Sequence, residues 1–422
     1  MNNTASNLFL LLMNFLLWGG SLFYYWKKNH YFGLGTAILL FYTIISAIDF
    51  HLFFSPRSIG QFNDLSFFPF IYLYVMMLLV IYPILQIREN RITNIYEPTS
   101  LFKTTTIILV LLSLYGIWDI VTELPQGLVL LMVDNDYAKE AYEAGLANLD
   151  RSRTGGISIL NIGCNAARAV APAFLIYYIT CSRINKFILI GLIISSLLGP
   201  LEAISKGSRL EPAIFILNLL FLYIFMRKFI SNNLKSKIKL FAFSIFLLIC
   251  IPFLIITISR TEGDTERTFY SFERYAAESF LNFNNYGINA NGIRYGDKTF
   301  PAFKEICGME TARTYVERRI KYSNMNIDES VFYTFVGDFT LDYGPICTVF
   351  IFILTALLFK YALTIRKRML LFHQYLCLYL LLYGCLGFFQ FPLGDINGNM
   401  RIILLLFLIF VFKLEYDISK RI

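Results

Sequence analysis

A short polar segment between two apolar stretches contains residue types that can bind a phosphate or diphosphate. Lys206 and Arg209 lie between Glu202 and Glu211, and Pro212 follows directly. A charge inside a bilayer costs at least about 2.5 kcal/mol, so cations at the end of a membrane-spanning helix require a partner. The start of the next helix adds partial positive charge beside Arg209. The segment predicts an oxyanion site; the alternative is a surface turn in which Arg209 pairs with Glu202 or Glu211.

Other arginines also lie next to apolar segments. Arg260 directly follows an apolar stretch, Arg267 and Arg274 follow at seven-residue intervals, and Arg401 lies in a short turn. Guanidinium groups bind planar oxyanions with paired hydrogen bonds, so Arg260 and Arg401 are candidates for binding a diphosphate. For Arg401 the alternative is simple helix capping. For Arg267 and Arg274 it is an amphipathic helix bridged by the acidic residues Glu262, Glu266, Glu273 and Glu278.

Two further polar segments are candidates for function. Asp338 and Asp342 precede an apolar stretch and are four residues apart, so in a helix they share one face. Carboxylates at a membrane entrance are costly unless they are paired or functional. The segment 282–292 interleaves amides and aromatic rings, which suit a hydroxyl-rich ligand, although an ordinary structured loop is equally compatible with it. Its candidates for binding such a ligand, with one from the segment before Asp338, are Asn284, Asn285, Tyr286 and Tyr333.

The composition requires an apolar environment for these segments. Of 422 residues, 57% are hydrophobic and 16% are charged, and the mean hydropathy is +0.58. A water-soluble fold of this size could not bury so much apolar surface. The net charge of +8 comes from short basic clusters between apolar segments rather than from one tract, so nucleic acid is not an expected partner.

The pattern predicts an all-α polytopic membrane protein with about eleven spanning helices in a single membrane domain. A span requires about 20 apolar residues. Lys and Arg in the short connections place the N-terminus outside and the C-terminus in the cytoplasm. Two external segments, 124–156 and 260–341, are too long to be connectors, and the patterns 269–275 and 311–321 predict short amphipathic helices at the interface. The predicted spans are 7–26, 31–50, 66–87, 104–123, 157–181, 187–204, 210–229, 239–259, 342–365, 370–391 and 400–416.

Motifs for metal, nucleotide or hydrolase chemistry are missing from the sequence. It has no P-loop, GxGxxG, HExxH or GxSxG pattern. Asp134 and Asp136 form an acid-x-acid triplet of a kind that is common by chance. We therefore expect no metal and no cofactor. The large external loop contains no histidine, since His30 and His373 are predicted on the cytoplasmic side and His51 in a short external turn.

The chain resembles the Wzy-type O-antigen polymerases, also called oligosaccharide repeat unit polymerases. The resemblance rests on the segment Ser205-Lys-Gly-Ser-Arg209, on the segment from Tyr333 to Gly344, and on the plan of spans with a large loop late in the chain. The plan covers most of the chain, whereas the motifs cover about twenty residues. The related O-antigen ligases carry a histidine in the large external loop, which favours the polymerase here.

The resemblance implies glycosyl transfer at the periplasmic face of the bacterial inner membrane. Undecaprenyl-diphosphate-linked oligosaccharides are both donor and acceptor, and a chain-length regulator is a possible partner. A hydroxyl attacks the anomeric carbon and the lipid diphosphate departs, so the enzyme needs cations for the leaving group. Arg209 is the first candidate by its match to the family's pattern, with Lys206, Arg260 and Arg401 as further ones. The candidates for orienting or deprotonating the hydroxyl are Asp338, Asp342, Glu202 and Glu278.

Two other classes remain open at this stage. A lipid-linked oligosaccharide flippase would carry charged residues in the middle of several spans, whereas here we expect them to cluster at the outer ends. A glycosyltransferase that uses a polyprenyl-phosphate sugar would need an acidic metal site, for which Asp134 and Asp136 are the sequence hint.

Overall fold

A computed structural model of the chain gives its architecture. It describes residues 4–97, 99–118, 120–125, 156–205, 210–236, 238–239, 251, 258, 264–327, 331–365 and 368–420. Almost all regular structure in these ranges is helical, and two short strands pair in parallel. The helices are α1 Thr4–Asn29, α2 Leu34–Phe54, α3 Phe67–Leu85, α4 Ser100–Leu114, α5 Gly156–Ile179, α6 Lys186–Ser205, α7 Leu210–Met226, α8 Thr265–Tyr286, α9 Pro301–Ile306, α10 Tyr315–Lys321, α11 Thr334–Tyr343, α12 Pro345–Ala362, α13 Phe372–Cys385 and α14 Ile396–Ser419. The strands are β1 Asn94–Ile95 and β2 Met369–Leu370.

Seven helices in the described residues are long and apolar enough to cross a bilayer, namely α1, α2, α3, α5, α6, α7 and α12. Their exposed faces are apolar: on α12 the side chains of Ile346, Phe350, Leu354 and Leu357 form one exposed stripe. Buried positions in the same helices include the polar residues Asn7, Asn14 and Asp49. This distribution is typical of helices packed together in lipid. The prediction of an α-helical, multi-pass membrane protein is confirmed.

Three of the other predicted spans differ from their expected bounds, and 239–259 lies mostly outside the described residues. The span at 104–123 is interrupted, because α4 ends at Leu114 and Gly116 has φ +71°. The span at 370–391 ends early at Cys385, because the backbone beyond it accepts hydrogen bonds from the N–H groups of Thr334 and Phe335. The span at 400–416 lies inside the longer α14.

The chain divides into two compact units. The first contains residues 1–91, 269–366 and 380–399. Here α1 packs on α2, and α3 packs on α12. The ring of Trp18 stacks on Tyr42 at 4.9 Å and meets Tyr74 edge-on at 5.1 Å. These fully or largely buried rings form the core between the first three helices.

The second unit contains residues 92–268, 367–379 and 400–422. In it α5 packs on α4, α6 and α7. One end of the unit is closed by an aromatic cluster in which Phe102, Phe174 and Phe372 lie within 5.3 Å of each other, centroid to centroid. At the same end β1 pairs with β2, and the Tyr177 hydroxyl donates to the Tyr96 carbonyl at 2.7 Å.

More of the large loop is helical than the sequence patterns predict. The predicted short helix at 269–275 is part of the 22-residue α8, and the predicted turn-rich segment begins inside the same helix. Residues 277–284 are all buried, and tertiary packing of this kind stabilises a helix beyond its intrinsic preference. The second predicted helix is α10, whose first turn has a capping box between Thr314 and Glu317.

Candidate functional site

An arginine lies buried in the middle of α5, and it forms an ion pair with a carboxylate of α6. Arg168 Nη1 is 2.6 Å from Glu202 Oε2. The side chain of Arg168 is 6% exposed and that of Glu202 is 20% exposed. Glu202 lies three residues before the end of α6, at the start of the predicted oxyanion segment. Glu202 therefore pairs with a residue that the sequence analysis did not consider.

The end of α4 supplies two further acceptors of this guanidinium. Arg168 Nε donates to the Ser113 carbonyl at 3.0 Å, and Nη2 donates to the Tyr115 carbonyl at 2.5 Å. Nη1 also donates to Asn165 Oδ1 at 3.2 Å. Carbonyl groups at a helix C-terminus carry partial negative charge, so α4 stabilises the cation together with Glu202. The guanidinium of Arg168 is thus held by acceptors from three helices.

A second ion pair follows the same segment. Arg401 Nη2, near the start of α14, lies 3.1 Å from Glu211 Oε1, in the first turn of α7. The two carboxylates therefore bracket the segment 206–209, and each pairs with an arginine from another helix. Lys206 and Arg209 themselves lie outside the described residues. The alternative in which Arg209 pairs with Glu202 or Glu211 therefore stays open, because Arg209 lies outside the described residues.

Two arginine–carboxylate pairs flank the segment 206–209 in the sequence, and the oxyanion site there stays a prediction. Two guanidinium groups are held by carboxylates, and a phosphate could displace a carboxylate from either of them. Arginine binds phosphate bidentately, and its hydrogen bonds to charged groups are about twice as strong as neutral ones. The Glu202 side chain is 20% exposed, whereas Arg168 is buried and held in place by the α4 carbonyls.

In the first unit, the predicted catalytic pair Asp338 and Asp342 lies on one face of α11 and faces a buried arginine. Asp342 Oδ1 accepts from Arg294 Nε at 2.7 Å, and Asp338 Oδ1 is 3.6 Å from Arg294 Nη2. Asp342 Oδ2 also accepts from the N–H groups of Lys298 and Thr299, at 3.1 and 2.7 Å. Because Asp342 is fully buried, these contacts fasten the loop to α11.

Asp338 also has defined structural partners. Its Oδ2 accepts from the Phe391 N–H at 2.7 Å. Burial raises the pKa of Asp338, while the positive charges of Lys298 and Arg294 and the Phe391 N–H act in the opposite direction. Its catalytic role, like that of Asp342, stays a prediction. Both carboxylates have contacts that account for their position without a substrate.

A third carboxylate in the same loop organises α9 and α10. Asp297 accepts from Lys304, from Lys321 at 2.8 Å, and from the Tyr322 hydroxyl at 2.7 Å. It also accepts from the Ala312 N–H at 3.0 Å. Burial alone would raise the pKa of Asp297, but these hydrogen bonds lower it below its usual value. The sequence analysis did not single out Asp297, because its partners come from four separate positions along the loop.

The fourth predicted catalytic carboxylate, Glu278, forms a bidentate pair with Arg274 on α8. The two N–O distances are 2.8 and 2.7 Å, at i,i+4 spacing. The hydrogen bonds to Glu278 and its negative charge raise the pKa of Arg274 against the effect of burial. For Arg274, the alternative of an arginine bridged by glutamate on an amphipathic helix is the one that the geometry shows.

A histidine from outside the large loop contacts it. His51 Nδ1, at the end of α2, is 2.8 Å from Glu273 Oε1 on α8. A carboxylate on Nδ1 orients the imidazole ring. The His51 side chain is largely exposed. The absence of a histidine from the loop sequence therefore did not exclude an imidazole beside the loop.

The predicted glycan-binding amides instead hold another segment of the protein. The Asn284 side chain bonds both the N–H and the carbonyl of Ser66, each at 2.8 Å. Asn285 Oδ1 accepts from the Asn63 N–H at 3.0 Å. The rings of Tyr286 and Tyr333 meet edge-on at 6.4 Å. These contacts give the amides a structural role, and glycan binding by the four residues stays a prediction.

Several predicted residues cannot be placed. Arg260, Asp134 and Asp136 lie outside the described residues. Within the described part of the chain, no group of three or more His, Cys, Asp or Glu side chains could hold a metal ion. Arg168 was missed, although the signal was present: a single arginine inside an otherwise apolar span is costly unless it is functional or paired.

Comparison with known proteins gives no matching family model, no curated relative and no similar solved structure. The resemblance to the polymerases therefore still rests on the two sequence motifs and the plan of spans.

Proposed function

We propose that this chain is an oligosaccharide repeat unit polymerase. It would transfer a growing glycan from undecaprenyl diphosphate to the free end of another lipid-linked repeat unit, at the periplasmic face of the inner membrane. The proposal includes the topology of about eleven spans with the N-terminus outside and the C-terminus in the cytoplasm. It includes metal-independent catalysis and a surface polysaccharide as the product.

The observation that carries the proposal is the pair of arginine–carboxylate contacts around the segment 206–209. Arg168 with Glu202 and Arg401 with Glu211 bring two guanidinium groups to the ends of α6 and α7, next to Lys206 and Arg209 in the sequence. A lipid diphosphate carries its negative charge at the membrane surface. Cations at the end of a helix bundle suit such a headgroup.

In the proposed reaction, a hydroxyl of the acceptor sugar attacks the anomeric carbon of the donor. A new glycosidic C–O bond forms, and the bond between the anomeric carbon and the diphosphate oxygen breaks. The electron pair stays on the lipid diphosphate, where cations stabilise the developing charge. The hydroxyl proton passes to a general base and then to water. The candidates for that base are the four predicted carboxylates and His51, whose exposed imidazole is oriented by Glu273.

Contacts between connections that are predicted on the same side of the membrane support the proposed topology. The segments around β1 and β2 are both predicted in the cytoplasm, and they pair with each other. The turn after α2 and helix α8 are both predicted outside, and the Asn63 N–H donates to Asn285 there. Helices that cross the membrane in alternating directions give these pairings.

One observation favours a second function, a lipid-linked oligosaccharide flippase. Arg168 lies in the middle of a span, and Asp49 is buried in α2, where its Oδ2 is 3.4 Å from Asn14 Nδ2. Ionisable groups inside spans mark transport pathways in many membrane proteins. The two functions leave different lipid-linked intermediates in cells, so one experiment can separate them.

The test uses a deletion strain of the source organism, complemented with wild type, Arg168→Gln, Arg401→Gln or Arg209→Gln. Lipid-linked intermediates and surface glycan are resolved by length. The exposed Arg183, beyond the opposite end of α5, provides the control variant Arg183→Gln. A polymerase predicts single repeat units at the periplasmic face in the deletion strain. It also predicts that Arg183→Gln restores long chains and that the other variants do not, at equal protein levels.

Two results would contradict the proposal. Single units confined to the cytoplasmic face of the deletion strain would mean a flippase. Long chains that accumulate on the lipid carrier, without transfer to a final acceptor, would mean a ligase.

A further inference from the structure

Four large apolar side chains are exposed on helices α9 and α10 and the turn between them. Ile306 and Met309 are 68% and 56% exposed, and Val316 and Ile320 are 49% and 73% exposed. Val316 and Ile320 are four residues apart, so they share the outer face of α10. Monomeric soluble surfaces rarely group such residues, and grouped ones mark contact with another partner or with lipid.

A rotation of these helices toward the protein interior could not bury the exposed side chains. Asp297 holds Lys304 at α9 and Lys321 at the end of α10. Arg313, in the connection between them, pairs with Glu305. The inner face of α10 is already filled, since Arg318 is buried and donates to the Arg313 carbonyl at 2.8 Å. The apolar outer face is therefore a fixed feature of the fold.

The start of α9 is fastened to the membrane end of a spanning segment. Asn399, near the start of α14, accepts from the Ala302 N–H at 3.0 Å and donates to the Thr299 carbonyl at 2.9 Å. The apolar run of α14 begins at Ile402, three residues or about 4.5 Å further along the helix.

A further hydrogen bond places the same segment at a similar depth in the bilayer. Asp342 accepts from the Thr299 N–H, and the span α12 begins at Pro345, three residues after Asp342. The polar headgroup layer is roughly 5–8 Å thick on each side of the hydrocarbon. Segment 298–302 is thus held within the thickness of that layer, and α9 continues directly from it.

Basic side chains accompany the exposed apolar ones. Arg319 and Lys321 are exposed on or next to the same face of α10 as Val316 and Ile320. Apolar side chains flanked by Lys and Arg are typical of helices that lie in the membrane interface, with the cations at the level of the lipid phosphates.

We propose that α9, α10 and the turn between them dock on the surface of the bilayer, with Ile306, Met309, Val316 and Ile320 in the headgroup layer and Arg319 on a lipid phosphate. The occupant of this face is phospholipid rather than a protein partner. The inference does not depend on the proposed function, because it concerns only the position of the loop relative to the membrane.

The test places a tryptophan on this face of the full-length protein in nanodiscs. Ile320→Trp is compared with Asn324→Trp, an exposed polar position just after α10. Each is measured in phosphatidylglycerol-containing bilayers with and without brominated acyl chains, and the quenching of the parent protein's three tryptophans is subtracted. We expect the tryptophan at 320 to lose most of its fluorescence and that at 324 to lose little. Adding Arg319→Glu should reduce the quenching at 320.

Equal, weak quenching at positions 320 and 324 would overturn the proposal. So would emission at 320 that is blue-shifted but insensitive to brominated lipid, since this means burial against protein. Both substitutions are at exposed sites, and a matching thermal unfolding midpoint for the two variants and the parent protein verifies that they fold alike.

Discussion

The two compact units each contain a buried arginine, and the surroundings of the two differ. Arg294, in the large loop, pairs with Asp342, which is fully enclosed and also accepts two backbone N–H groups. Arg168, inside a span, pairs with Glu202, which keeps a fifth of its surface exposed. Arg168 is held by carbonyl groups at the end of α4 instead of by a second carboxylate.

The Arg294–Asp342 pair is fully enclosed, whereas the Arg168–Glu202 pair has a partly exposed carboxylate that an incoming anion can reach. A carboxylate enclosed by several donors cannot release them unless the loop detaches from α11. A partly exposed carboxylate can be replaced on its arginine by an incoming anion. The contacts of Asp342 account for its position without a substrate, whereas the Arg168–Glu202 pair is the better candidate for contact with an anion.

The largest effect on stability is expected from Asp342→Asn. It leaves Arg294 buried without its closest counter-ion, which costs about 3–5 kcal/mol. Chemical unfolding of the purified protein in detergent measures the loss, and the exposed Glu310→Gln is the control. A loss no larger than that of the control would mean that the two arginines do not differ in the way proposed.

The next effect distinguishes stability from activity at Arg168. Arg168→Gln is expected to lower stability by about 1–3 kcal/mol, because Glu202 loses a buried partner. The double variant with Glu202→Gln should regain much of that stability. Polymerisation should remain reduced by about 10²–10³-fold in both, which is typical of removing one group that stabilises developing negative charge. Recovery of activity in the double variant would show that the pair is only structural.

An effect of intermediate size is expected on the pH dependence of stability when Asp297 is replaced. Its pKa in the folded protein lies below that of the unfolded chain, which is about 3.9. Its contribution to stability is therefore present above about pH 4 and is lost as the pH falls through the lower, folded-state pKa. The unfolding midpoint of Asp297→Asn, measured from pH 7 to pH 3, should fall less on acidification than that of wild type.

Asp338 provides the control of opposite sign. Its pKa is raised on folding, so its contribution is present at low pH and is lost as the pH rises through the folded-state value. In Asp338→Asn the fall of the midpoint on acidification should be steeper than in wild type. Identical pH profiles for the two variants would contradict both assignments.

The smallest effect is expected at the amides of α8. Asn285→Ala removes the hydrogen bond to the Asn63 N–H and should cost about 1 kcal/mol. If this is its whole role, glycan chain length will be unchanged. A shortened glycan at unchanged stability would instead support the predicted glycan contact.

The sequence predicts the seven helices of the described residues that are long and apolar enough to span a membrane, because apolar length is a local property. It also identifies the segment at 202–211 as a place where charges meet. It does not predict that Arg168 is the partner of Glu202, because α5 and α6 must first pack together. Nor does it predict the Arg294–Asp342 pair, whose members are 48 residues apart and meet only when the loop folds back.

The same limit applies to residues that look functional by composition. Asn284 and Asn285 occur in a stretch typical of turns and sugar contacts, yet they lie in a helix. Residues 277–284 are buried by tertiary packing, which no local sequence pattern predicts. Their amides then satisfy the backbone of residues 63–66, which lie more than 200 positions earlier in the chain.

The interleaving of the two units in the chain has a consequence for biosynthesis. The first unit is assembled from residues 1–91, 269–366 and 380–399, so its first three helices enter the membrane long before their partners are translated. Contacts between residues so distant in sequence form slowly. During that interval the buried polar residues of these helices have side-chain partners within residues 1–91, since Asn7 donates to Asp64 and Asn14 donates to Asp49. A ribosome stalled before residue 380 would therefore leave an incomplete bundle, and quality-control proteases should remove such a nascent chain faster than the full-length protein.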